Sequence, residues 1–146
     1  MAVTVFWYGL AFSKMLNKEI DWLADDIRIS LHHDYSPNQD THEYFDDVVA
    51  SECADGSGYA HMGMALPTPT LAYDAGTNVV KLSADPATWV SSTIHATHAV
   101  IWDHAPGTDS TDPLICYVDF GGDVDSTIGD FTITWNAGGI LTITPA

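Results

Sequence analysis

Large apolar and polar residues alternate without a break in Phe131-Thr132-Ile133-Thr134-Trp135. A strand turns successive positions to opposite faces, so Phe131, Ile133 and Trp135 are expected inside and the two threonines outside. Upstream, Ile94–Trp102 and Pro113–Phe120 read as strands; Ile115 and Tyr117 alternate with Cys116 and Val118, the mark of a strand covered on both faces. A tight Asn136-Ala137-Gly138-Gly139 turn leads into a last run, Ile140–Ile143. This final third reads as consecutive strands around which the rest is arranged.

Nearer the start, Tyr8, Ala11, Phe12, Met15 and Leu16 recur at helical spacing. They predict an amphipathic helix of about three turns lying against a sheet; a partner-binding or membrane helix is the alternative. Asp26–His32 alternates, with Ile27, Ile29 and Leu31 pointing in. Pro37-Asn38 favours a turn, and Asp40 with Glu43 predicts a cap for a short helix through Tyr44, Phe45 and Val48. Gly56-Ser57-Gly58 breaks the chain, and the prolines of Ala60–Pro69 suit a sheet edge or an extended arm. Leu71–Tyr73 and Val79–Leu82 flank Asp74-Ala75-Gly76-Thr77-Asn78 as a hairpin, with a strand at Thr88-Trp89-Val90 after the Asp85-Pro86 turn. About eight short strands at close spacing predict a mainly β, β-sandwich or jelly-roll-like single domain over 1–146, with one or two short helices.

Composition narrows the function. Apolar residues make up 46% of the chain, enough for a core, while four Lys+Arg stand against twenty Asp+Glu for a net charge of −16. Such a surface repels phosphate backbones and anionic headgroups, so neither nucleic acid nor membrane is an expected partner. The N-terminus lacks the leading positive charge of a signal peptide, and no apolar run is long enough to span a bilayer. Two cysteines, Cys53 and Cys116, do not make a disulfide framework; Cys116 reads as a core residue and a cytosolic assembly site is expected.

Chemistry-bearing residues are present without a catalytic pattern. His95 and His98 are close in sequence, but positions i and i+3 of a regular strand face apart, so sharing one zinc would need a bulge. His32-His33-Asp34 has the same defect. Asp123, Asp125 and Asp130 could crowd a Ca²⁺ loop, yet without the spacing or terminal Glu of an EF-hand. The Asp40, Glu43, Asp46, Asp47 cluster reads as a solvated face. With no nucleophile elbow, phosphate loop or zincin helix, neither an enzyme nor a cofactor is expected.

As a set, Asn17-Lys18-Glu19-Ile20-Asp21-Trp22, Asp26–Leu31, Tyr35-Ser36-Pro37-Asn38-Gln39-Asp40-Thr41-His42-Glu43-Tyr44, Gly56-Ser57-Gly58-Tyr59, Thr88-Trp89, Ala99-Val100-Ile101, Pro113-Leu114-Ile115, Tyr117-Val118-Asp119-Phe120-Gly121, Phe131-Thr132-Ile133 and Trp135–Ile140 resemble a family of small tailed-bacteriophage virion proteins, described as structural or head-decoration proteins. The resemblance implies a non-enzymatic virion component on the capsid surface. Its expected partners are the major capsid protein and further copies of itself, as a dimer or trimer. A tail, collar or fibre location and a receptor- or carbohydrate-binding module are the alternatives. The chain departs from the family in its apolar, proline-rich Gly63–Pro69 and at His98 and Trp102. Candidate interface residues are Val3, Val5, Phe6, Trp7 and Tyr8 at the N-terminus, Pro67, Thr68 and Pro69 in the arm, and Trp102; Trp7 and Trp102 have a core position as their alternative.

Overall fold

The computed structural model describes residues 3–145. In chain order it runs β1 (Thr4–Trp7), α1 (Gly9–Leu16), β2 (Ile27–His32), two 3-10 turns (Phe45–Asp47 and Val49–Ser51), β3 (Met64–Ala65), β4 (Thr70–Asp74), β5 (Val79–Ser83), β6 (Ala87–Ser92), β7 (His95–Asp103), β8 (Leu114–Asp125), β9 (Gly129–Ile133) and β10 (Leu141–Ile143). The protein is mainly β, with three antiparallel sheets ordered β1-β8-β7-β2-β3, β10-β5-β4 and β6-β9.

The apolar runs of β7 and β8 explain the layering. Ile27, Ile29 and Leu31 of β2 share one face of the large sheet with Ala99 and Ile101 of β7 and Cys116 and Val118 of β8. The two small sheets close over that face with Leu82, Trp89, Phe131, Ile133 and Leu141. On the other face, Val100, Trp102 and Leu114 meet Tyr35, Phe45 and Val48 of the segment that carries the 3-10 turns. A sheet covered on both sides needs consecutive apolar residues, and β7 and β8 supply them.

The expected strands are found, but the last third is not one sheet. β7 and β8 pair with each other, whereas β9 crosses to β6 and β10 to β5. The Asp74–Asn78 hairpin forms as expected, with Thr70 to Asp74 registered against Ser83 to Val79. β3 is the two-residue edge that the prolines favoured. Gly63 (φ 64°) leads into it where any Cβ would fall 1.9 Å from the Ile29 carbonyl oxygen, so the chain passes β2 there only as glycine.

Two local expectations are corrected. α1 is a two-turn helix that faces inward with Ala11 and Lys14, while Phe12 and Leu16, expected inside, are 38% and 87% exposed. Lys14 turns in because its ammonium finds Glu43 at 2.8 Å and the Tyr44 hydroxyl at 3.0 Å. Burial pulls the ammonium's pKa down, but the bonds to Glu43 and Tyr44 outweigh it and hold the group above its usual value. The helix stops early because Lys18 takes a left-handed φ of 63° and Glu19 N–H donates back to the Lys14 carbonyl, a termination usually marked by glycine. Further on, Asp40 is not the cap: Asp47 accepts the N–H groups of Glu43 and Tyr44, and the short helix is two separate 3-10 turns.

Candidate functional site

β1 is an edge of the large sheet, and the side chains expected at an interface divide by face. Val3, Val5 and Trp7 are half-buried against the main core beside Met15 of α1. Phe6 points the other way, stacks on Tyr117 at 5.1 Å between centroids, and remains 36% exposed. Trp7 touches Phe12 at 4.5 Å, so an apolar rim continues from strand onto helix and out to Leu16.

Tyr8 and Trp102 leave the interface set, because both are fully buried. Tyr8 hydrogen-bonds through its hydroxyl to Tyr35, which in turn meets His42 Nδ1 at 2.8 Å. Burial raises the pKa of both phenols, that of Tyr35 to about 12. Trp102 lies in the middle of the large sheet, where both faces are covered, and stacks on Phe45 at 4.0 Å and 17°. Its burial is the core alternative that the sequence left open.

The Pro67–Pro69 arm is tied down. The Pro67 carbonyl accepts Asp85 N–H, and the carbonyl of Thr70 just beyond accepts Trp22 Nε1–H at 2.9 Å. Pro67 and Pro69 are half-buried; Thr68, with a left-handed φ of 47°, is exposed. The arm delivers the chain into β4, an edge strand exposed at all five positions, with Leu71 at 47% and Tyr73 at 58%. Sequence reasoning missed this surface because it placed Leu71–Tyr73 only as one strand of a hairpin, with no sign of which edge it forms.

The histidines and carboxylates take mainly structural posts. His32 is enclosed between the Ser30 and Ser51 hydroxyls, and burial with His98 nearby depresses its pKa to about 3. Asp112, also buried, accepts Gly107 and Thr108 N–H and meets His104 Nδ1 at 2.6 Å, closing the 103–112 loop. The Asp123, Asp125, Asp130 loop is not assembled: Asp130 caps Ser91 N–H, while Asp123 and Asp125 sit beside His95. A cleft of about 700 Å³ opens between residues 50–59 and 93–95. In its wall the Glu52 side chain, 3% exposed, accepts the Tyr59 hydroxyl at 2.7 Å and both Met62 N–H and His61 Nδ1 at 2.6 Å. A carboxylate loaded with three donors organises the loop around it.

No protein family, curated protein or solved structure matches this chain at a significant level. Among the described residues no helix is long and apolar enough to cross a membrane. Cys53 and Cys116 are both free, and burial raises their thiol pKa values, Cys53's to about 11.

Proposed function

We propose that this chain is a head-decoration protein of a tailed bacteriophage, seated on the outer capsid surface where it bridges neighbouring copies of the major capsid protein. The observation that carries this reading is the pair of sheet edges, β1 and β4, that present large apolar side chains to solvent: Phe6, Leu71 and Tyr73. Edge strands of free-standing proteins are usually blunted by charge, proline or a bulge, because open N–H and C=O groups recruit further strands. Here the apolar edge suits strand addition from a neighbour, and many weak copies on one shell add up to firm attachment. The charge of −16 supports a place outside the shell, away from packaged DNA. The sequence resemblance to small virion proteins points the same way.

Imaging of intact particles decides the matter. Density for this chain is expected on the head, and particles lacking the protein are expected to lose their DNA at lower temperature or milder osmotic shock. Density confined to the tail, or equal robustness without the protein, would remove the cementing role.

A further inference from the structure

We infer that His33, His95 and Asp123 form a binding site for one divalent first-row transition ion of the zinc class, beside the cleft. Three segments distant in sequence deliver the ligands. His33 follows the last residue of β2 and is fixed by its own N–H to the Ser51 carbonyl. His95 opens β7. Asp123 rides on a wide bulge of β8: the register runs from Asp119 opposite His98 to Val124 opposite Ala96, so residues 120–123 stand against Thr97 alone. Gly121 and Gly122, at φ 76° and 153°, let the chain loop out there. One donor atom from each ligand lies within 4.8 Å of the other two, and the two imidazole rings approach to 4.1 Å between centroids.

The surroundings point to a metal more than to ordinary surface ion pairs. Each imidazole has its Nδ1 against a carboxylate outside the ligand set: His33 with Asp34 at 3.2 Å, His95 with Asp125. Asp34 adopts a left-handed φ of 54° beside its histidine. With His95 Nδ1–H donating to Asp125, its Nε2 lone pair is left for a ligand and already lies 3.8 Å from Asp123 Oδ1. Carboxylates placed behind ligating histidines fix the tautomer and raise ligand basicity.

Two imidazoles and one carboxylate suit zinc, whereas Ca²⁺ and Mg²⁺ take all-oxygen sets. Tetrahedral donors stand about 3.3 Å apart, so these side chains must close by up to about 1.5 Å. Their exposure, and the glycines beside Asp123, leave room for that movement. Three protein ligands leave a fourth position for water or a neighbouring molecule. The bound ion would clamp the ends of β2, β7 and β8 together.

The test uses the full chain, free of any affinity tag and stripped with EDTA. Zinc titrated by calorimetry is expected to bind at one ion per chain and to raise the unfolding temperature by several degrees. Cobalt is expected to give the intense visible bands of a four-coordinate site. H33Q, H95Q and D123N should each weaken zinc at least about 100-fold, and D125N, which keeps all three ligands, by about 10–100-fold. H61Q, which removes the imidazole bonded to Glu52 and lies outside the cluster, should bind as the parent does. Because the substituted side chains are partly exposed, circular dichroism should show every variant folded. Absence of saturable zinc binding, binding that survives both H33Q and H95Q, or calcium binding as tight as zinc would overturn the assignment.

Discussion

Asp103 carries a charge problem that its surroundings do not solve. It is fully buried at the end of β7, Oδ1 accepts Ala105 N–H, and Oδ2 has no partner. Burial is the main cause that pushes its pKa up to about 7, with the carboxylates of Asp25 and Asp112 adding to it. The folded state therefore holds a proton that the unfolded chain releases near pH 4. Between those values the folded form binds more protons, so stability falls as pH rises from about 4 to about 7 and stays low above. Asp103→Asn copies the protonated form; it should raise stability above pH 7 by about 1 kcal/mol or more and flatten this part of the pH profile. Urea unfolding of both proteins across pH 4–8 checks this; parallel profiles would count against it.

At the scale of elements, one aromatic stack holds the irregular half of the chain to the sheet. Phe45, fully buried, lies flat on Trp102, and around that pair Tyr35 and Val48 close the second core. Phe45→Ala and Trp102→Ala should each cost about 3–5 kcal/mol, and the double variant less than their sum, because the two changes open one shared cavity. Denaturant unfolding of the four proteins measures the coupling. How far such elements were legible in the sequence depends on the range of the forces that fix them. The alternation of Phe131 and Ile133 and the Asp74–Asn78 turn are local and were readable. The inward turn of Lys14 was not, since hydrophobic periodicity treats lysine as solvent-facing and its partner Glu43 lies far along the chain. Nor could spacing reveal the partner of His95. His98, three residues away, faces elsewhere beside Tyr35, and the ring that meets His95 is His33, brought across by pairing between β2 and β7.

At the scale of the whole molecule, strong acidity and open apolar edges oppose each other. Copies repel through their net charge of −16, while β1 and β4 favour association. Added salt screens the repulsion and leaves the apolar contacts, so self-association should increase from low ionic strength to about 0.5 M salt. Sedimentation velocity reads this, and no change with salt would speak against edge-driven assembly. On the proposed capsid role, Leu71→Lys with Tyr73→Lys should leave the fold intact, as both side chains are about half exposed, yet reduce co-sedimentation with undecorated capsids at least tenfold. Normal attachment by that variant would count against β4 as the docking edge. The division of the final strands among three sheets also governs how the protein comes into being. The main core needs β2 from near the beginning and Ile133 and Leu141 from near the end. A nascent chain on the ribosome therefore cannot close this core until Leu141 has emerged to meet β2.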